Sequence, residues 1–541
     1  MSEFEFTTVH EVFGRATERW PDNGAVCATP MPGRAYHPDG VEFSYARAWP
    51  RIEALRRRYA AAGYGHGHRV ALLLEQRPEF FLHFLALNSL GCGIVPINPD
   101  YRHDEMLYQM DHSEADLAVV IESRLEDLLR VAADRRKPLP VVPFDTLPDD
   151  LPNPGPAPRD GPAGIESECS LLYTSGTTGR PKGCILSNGY YINAGRWYLS
   201  MGGRLNFGEG ERILNPLPFF HMNAQAVCAT ALFLSGGCLI APDRFHPGRW
   251  WADVVATRAS AIHYLGVVPP LLMNQPETPE EKQHQLRFGV GAGIEPELHG
   301  AFEERFGFPL VEVWGMTETG RMIADCHEPR RIDSRAFGIP EPGLEARVVD
   351  DDDNDVASGG EGELLVRHTA AEPRKWFFAG YLKNEEETEA AWRGGWFHTG
   401  DTVRQGDDGM LYFVDRKKNI IRRSGENIAA AEIEAVLQAH EAVAQAAVIA
   451  VADDLREEEV MACIVAMPDQ STDQALADVL FDWCNGQLAY FKAPGYVLFR
   501  DSLPTTGTQK VQKTELFAPD EDPRALEGCF DLRQRKRKRQ I

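Results

Sequence analysis

The chain has 541 residues, beyond the size at which one apolar core keeps growing, so several packed units are expected. It is 43% hydrophobic and 25% charged, which excludes a mainly disordered chain. A formal net charge of −24, from 56 basic and 80 acidic residues, argues against a generic nucleic-acid binder, although a local basic site can still hold a polyphosphate.

The N-terminus, Met1-Ser-Glu-Phe-Glu-Phe, has no basic region followed by an apolar one, so no signal peptide is read and the cytoplasm is the expected compartment. Ile52 to Ala62 is helical in pattern, Arg69-Val-Ala-Leu-Leu-Leu reads as a strand, and Glu79 to Leu90 as a further helix. Gly93-Ile-Val-Pro-Ile-Asn and Ala115-Asp-Leu-Ala-Val-Val-Ile read as buried strands. This alternation predicts a doubly wound, largely parallel sheet. His83, Asn88, Ser89 and two glycines interrupt the most apolar stretch, Phe80 to Ile97, so a membrane span is not expected there.

Residues 151–164 hold five prolines and three glycines, which marks a surface connector. A second α/β region is expected from about 165 to 330. Short strands and turns from about 335 to 417 predict a small barrel or sandwich, and an α+β unit should follow beyond 419. The run Asp350-Asp-Asp-Asp-Asn-Asp is read as a solvated hairpin turn, because nothing near it supplies spaced metal ligands. The end of the chain, with six basic residues in the nine from Asp531, is expected to be a frayed, solubilising tail. Ten cysteines without CxxC spacing read as reduced, buried thiols rather than a disulfide frame or zinc site.

The string Ser170-Leu-Leu-Tyr-Thr-Ser-Gly-Thr-Thr-Gly-Arg-Pro-Lys-Gly-Cys-Ile-Leu-Ser carries the chemistry. Glycines let backbone N–H groups close around an anion, hydroxyls add donors, and Lys182 adds charge, a combination suited to a polyphosphate. The spacing is not that of a P-loop. Here the sequence resembles the adenylate-forming superfamily of acyl-CoA synthetases, peptide-synthetase adenylation domains and beetle luciferases. Val313-Trp-Gly-Met-Thr-Glu-Thr, Gly395-Trp-Phe-His-Thr-Gly-Asp, the stretch from Tyr412 through Ser424-Gly425-Glu426 to Ile428, and Leu503-Pro-Thr-Thr-Gly-Thr-Gln-Lys match that family's motifs in order. The wording looks closest to the crotonobetaine/carnitine-CoA ligase-like branch.

The resemblance implies a large N-terminal domain, residues 1–417, of two doubly wound α/β subdomains plus a small distorted β-barrel. A smaller mobile α+β lid would follow at 418–525, hinged at Lys418, with 526–541 as the basic tail. It assigns ATP to Thr174, Ser175, Gly176, Thr177, Thr178, Gly179 and Lys182, to Gly291, Ala292 and Gly293, and to Trp314, Gly315 and Met316. Trp314 would offer its face to adenine where many relatives have tyrosine. Asp401 would accept the ribose hydroxyls with Arg416 assisting, and Thr317 would donate to a phosphate. Glu318, with Thr174 nearby, would hold Mg²⁺ as a hard oxygen ligand.

Lys510 would bridge the charge that builds as a carboxylate attacks the α-phosphate. Gln509 replaces the usual glycine before it, and Lys513, the rival, is expected to be a solvated helix lysine. After a domain swing, Gly425 and its loop would serve CoA. His221, in Leu217-Pro-Phe-Phe-His-Met-Asn-Ala-Gln, is read as a gate, since substrate carboxylates are already ionised at neutral pH. Met222 follows where amino-acid-activating relatives place an aspartate, which argues against an amino acid substrate. The expected activity is an ATP-dependent, non-amino acyl-CoA ligase using Mg²⁺, with no nucleic acid or membrane span and a homodimer compatible. A ligase that loads a separate carrier protein and a non-catalytic nucleotide-binding protein are the alternatives.

Overall fold

The computed structural model describes residues 5–174, 181–416, 419–423, 426–453, 456–488, 490–505, 511–518 and 521–536. The chain divides into two compact units: residues 1–345 with 367–397, and residues 346–366 with 398–541.

Two sheets build the larger unit. The first has seven strands in the order Gly380–Tyr381, Lys182–Ser187, Glu168–Thr174, Gly93–Pro96, Arg69–Leu73, Leu117–Val120, Val141–Pro143. Its central strands are parallel and apolar at almost every position, as required where helices cover both faces. Helix Tyr45–Ala62 begins where the Ser44 side chain accepts the Arg47 N–H and ends at Gly63. The second sheet has eight strands, in the order Met322–Ala324, Leu310–Gly315, Phe288–Ala292, Ala261–Leu265, Arg212–Leu214, Cys238–Ala241, Gly24–Ala28, Val41–Ser44. Both sheets cut across the division expected from the sequence. Gly24–Ala28 pairs in parallel with Cys238–Ala241, while Glu168–Thr174 and Lys182–Ser187 complete the first sheet.

In the smaller unit, strands Leu411–Arg416, Phe397–Gln405, Glu361–Arg367 and Glu345–Val349 lie side by side in that order. The acidic run after Val349 turns on itself: the Asp350 carboxylate accepts the Asp352 and Asn354 N–H groups, both at 2.9 Å. The rest of the unit is α+β. Its sheet runs Glu426–Ala429, Ile420–Arg423, Glu457–Ala466, Tyr496–Phe499, Cys529–Asp531, and the long strand Val443–Asp453 also pairs with Glu457–Ala466. Helices Ala430–Gln438 and Gln474–Gln487 bury Ile433, Leu437, Leu480 and Phe481 in one core with Val448, Val460 and Ile464.

The segment around 526–536, expected to fray, is docked on this sheet. Cys529–Asp531 pairs with Tyr496–Phe499, Leu532 is buried, and Arg533, Arg535 and Lys536 each reach a carboxylate. All ten cysteines are free and nine are buried. Among the described residues no helix is long and apolar enough to cross a membrane.

Candidate active site

The glycine- and hydroxyl-rich string is anchored at both ends by a strand pair, with Thr174 directly opposite Lys182. One step along, Cys184 is buried between two candidate ligands: its Sγ lies 3.8 Å from Thr174 Oγ1 and 3.8 Å from Glu318 Oε1. Burial, with the Glu318 charge adding to it, raises the Cys184 thiol well above its ordinary range, so it stays a neutral donor. Tyr381 donates its hydroxyl to Glu318 Oε1 at 2.9 Å. The Lys182 ammonium sits over the Tyr381 ring, 5.0 Å from its centre, and pairs with Glu387 at 2.5 Å. Thr174, Lys182 and Glu318 are thus gathered around one tyrosine and one cysteine.

Glu318 itself is 6% exposed and rides on a tight turn. Thr319 Oγ1 closes that turn on the Met316 and Arg321 carbonyls, and Tyr190 donates to the Thr317 carbonyl at 2.7 Å.

Three parallel strands end beside one another here: Ala261–Leu265, Phe288–Ala292 and Leu310–Gly315. Ala292, Gly293 and Gly315 are exposed at those ends, the usual place for a ligand in an open α/β sheet. Gly293 adopts φ +93°, and a Cβ on Gly266 would lie 2.2 Å from the Gly293 carbonyl oxygen, so the two turns meet without room for a side chain. Glu312 fastens this turn. Its carboxylate accepts the Gly293 N–H at 2.8 Å, the Ile294 N–H at 3.4 Å and the Tyr264 hydroxyl. Burial outweighs those donors and pushes the carboxyl up to about 7. Trp314 is 6% exposed and packs on Phe337, ring centres 6.2 Å apart.

His221 stands on the turn before a single π-helical segment, Asn223–Cys228. Burial pushes its imidazole down to about 4, so the ring is neutral at physiological pH. Its partly exposed neighbour Phe220 lies against it at 4.7 Å. Behind the turn, Asn223 Oδ1 meets His263 Nδ1 at 2.8 Å and accepts from Asn215 at 3.0 Å, and His263 Nε2 meets the Tyr198 hydroxyl at 2.9 Å. Wide π turns mark functional sites, and here the polar chain holds one in place.

In the smaller unit Asp401 and Arg416 are register partners, with Nε 3.5 Å from Oδ1. Asp401 is 6% exposed, and its N–H donates to Thr399 Oγ1. Asp415 next to Arg416 accepts the Ala431 N–H at 2.8 Å and the Asn419 amide at 3.2 Å, which ties the strand end to the start of helix Ala430–Gln438. Lys513 is not the solvated lysine expected. Its ammonium pairs with Glu434 at 2.8 Å, both side chains about four-fifths covered, because Glu434 also takes the Val448 N–H and draws the lysine inward.

Ser175, Gly176, Thr177, Thr178, Gly179, Gly425, Lys510 and the expected hinge, Lys418, lie outside the described residues. Sequence reasoning missed Tyr381, Cys184, Glu312 and Asp415. A Gly-Tyr step between turns was the only trace of Tyr381; Glu312, two residues before Trp314, stood in plain view as a carboxylate in an otherwise apolar strand.

The model of the AMP-binding enzyme family matches residues 13–382, and that of the AMP-binding enzyme C-terminal domain matches residues 432–510. The chain belongs to the AMP-binding enzyme family. It is 30% identical to the crotonobetaine/carnitine–CoA ligase of Proteus mirabilis (strain HI4320) over 493 residues, 88% of this chain and 93% of that one. The enzyme of the same name from Citrobacter koseri is 29% identical over 496 residues, 88% and 93% of the two chains. Two solved structures share the fold. One is ATP-bound MatB from Rhodopseudomonas palustris, at TM-score 0.78, 24% identity and 94% and 98% coverage. The other is the o-succinylbenzoate CoA synthetase of Bacillus subtilis with its acyl-adenylate intermediate, at TM-score 0.79, 23% identity and the same coverage. This AMP-binding enzyme is an adenylate-forming acid–thiol ligase of the acyl-CoA synthetase type.

Proposed function

We propose that the protein activates a non-amino carboxylic acid as acyl-AMP and then transfers the acyl group to CoA. In the first step a carboxylate oxygen bonds to the α-phosphorus of ATP and pyrophosphate leaves. In the second the CoA sulfur bonds to the acyl carbon, AMP leaves, and the thiol proton is released.

The gathering of Thr174, Lys182 and Glu318 around Tyr381 and Cys184 carries this reading. It supplies one cation and one carboxylate where a polyphosphate with its counter-ion would sit. Lys182 would exchange Glu387 for a phosphate oxygen. Glu318 suits Mg²⁺, which binds through one or two carboxylates plus phosphates and water, with the Thr174 hydroxyl alongside. When bound, that ion would neutralise phosphate charge. Lys510 is assigned to the first step, and Thr317 to a phosphate. Trp314, Gly291, Ala292, Gly293, Gly315 and Met316 are assigned to the adenosine side, and Asp401 with Arg416 to the ribose. Neutral His221 would gate the acid without adding charge. The smaller unit would reorient about Lys418 to bring the hairpin around Gly425 to the thiol.

The test is pyrophosphate release on a panel of acids, with and without CoA, followed by mass spectrometry of the thioester. The panel holds crotonobetaine, carnitine, hexanoate, benzoate and o-succinylbenzoate. A CoA thioester from one acid is the expected result. Lys510→Ala should abolish acyl-AMP formation and spare thioester formation from supplied acyl-AMP. Pyrophosphate release without thioester on CoA would overturn the acceptor, and ATP binding without turnover on any acid would overturn the reaction.

A further inference from the structure

Near its end the chain crosses the smaller unit as a strap. Cys529–Asp531 adds a strand against Tyr496–Phe499, and the Leu532 N–H donates to the Gly495 carbonyl at 2.8 Å. Three basic residues then meet three sets of acids. Arg533 pairs with Asp453 at 2.8 Å and Arg535 with Asp478 and Asp482 at 2.7 and 2.8 Å, each arginine about a third exposed. The Arg535 pairs, exposed on both sides, contribute little, whereas the Asp453 carboxylate is itself buried.

Lys536 is different. Its side chain and that of Glu459 are both 0% exposed, with Nζ 2.5 Å from Oε1. Glu459 also receives Arg423 Nε at 2.9 Å on both oxygens, and Arg423 is 5% exposed. The carboxylate lies so close to Gly495 that a Cβ there would be 2.5 Å from Glu459 Cδ. Two cations and one carboxylate therefore share a dry site, and each cation depends on the Glu459 carboxylate for its charge to be tolerated. Burial pushes the Lys536 ammonium down to about 8, so the lysine is held charged only by its partner.

Arg423 is the last residue of strand Ile420–Arg423, which forms a hairpin with Glu426–Ala429; it pairs with Glu426 on one side and Glu457 on the other. The strap thus reaches, through one buried carboxylate, the end of the hairpin assigned above to the thiol half-reaction.

We propose that Lys536 is a positioning residue for thioester formation, clamping Glu459 and through it the Arg423 end of the hairpin. This inference rests on the reading that the hairpin serves the second half-reaction. It makes the basic C-terminal segment a working part of the enzyme rather than a solubilising tail.

The test compares full-length Lys536→Met, Lys536→Arg and Arg535→Ala with the unaltered protein. Hydrogen exchange of peptides covering 420–429 is read by mass spectrometry, with peptides covering 69–73 as reference and peptides covering 361–366 and 474–487 reporting on the rest of the smaller unit. Pyrophosphate release without CoA and thioester formation with CoA are followed on whichever acid of the panel turns over. Lys536→Met should raise exchange in the hairpin roughly tenfold with the reference unchanged. It should slow thioester formation while pyrophosphate release stays within about twofold. Lys536→Arg should recover both readouts, and Arg535→Ala should leave both near normal. Should Lys536→Met not fold, Lys536→Gln, which keeps a donor toward Glu459, carries the same comparison.

Unchanged exchange at 420–429, or an equal rise throughout the smaller unit, overturns the clamp. A loosened hairpin with thioester formation unaffected overturns its role in that half-reaction. Failure of the acyl-CoA ligase reading itself is told apart from both, since it removes turnover in the unaltered protein and leaves the exchange result standing.

Discussion

Replacing Glu312 by glutamine probes the carboxyl that fastens the Gly293 turn. Burial raises it from 4.5 to about 7, so the folded protein holds a proton there after the unfolded chain has released it. A group raised in the fold contributes stability that is complete below pH 4.5 and lost as pH climbs through about 7. At about 1.4 kcal/mol per pKa unit the whole change is about 3.5 kcal/mol, of which at most about 3 kcal/mol falls above about pH 5. The larger unit has roughly 370 residues, and the average unfolding entropy per residue converts that figure to about 4 °C in melting midpoint. Glutamine carries no charge, and its altered hydrogen bonding adds an offset that does not vary with pH. Calorimetry of both proteins from about pH 5 to about pH 8.5 reads the difference. The unaltered protein should lose up to about 4 °C relative to Glu312→Gln across that range. A difference that stays flat, or that moves the other way, refutes burial of a charge as the governing cause.

Tyr381→Phe keeps the ring beneath Lys182 and removes the hydroxyl from Glu318; a hydrogen bond to a charged acceptor contributes about 1.5–3 kcal/mol, so pyrophosphate release should fall about tenfold or more. An unchanged rate would mean that Glu318 is held by other contacts. Gly266→Ala should cost at least about tenfold in the same assay, because its Cβ would meet the Gly293 carbonyl, whereas Gly300→Ala, with open space around it, should be neutral or stabilising. His221→Gln should alter the rate while leaving the shape of the pH–rate profile between about pH 6 and 8 unchanged, since a histidine pushed down to about 4 takes up no proton there; a lost inflection would assign His221 a titrating role.

Much of the architecture was legible because it is written locally. Apolar runs such as Arg69–Leu73 and Leu117–Val120 are buried on both faces, and that demand shows in their composition. The chemical strings were legible because a loop that closes on phosphate tolerates few residue types. What stayed hidden depends on pairs distant in sequence. Cys184 gains its meaning from Glu318, Glu312 from the Gly293 turn, and Lys536 from Glu459, and none of these pairings follows from periodicity. A basic tail reads as solvated until the acids that receive it are in place, and Asp453 ends one strand while Asp478 and Asp482 lie on a separate helix.

The strands Gly24–Ala28 and Val41–Ser44 have a consequence for synthesis on the ribosome. Every residue of Gly24–Ala28 is buried, yet its inner neighbour, Cys238–Ala241, is translated roughly 200 residues later. At 5–20 residues per second the early hairpin waits about 10 to 40 s for that partner. Throughout that interval one edge of an apolar ribbon stands open to other nascent chains. Slowing translation before residue 238 should therefore lower the yield of folded protein, whereas a pause after residue 241 should not.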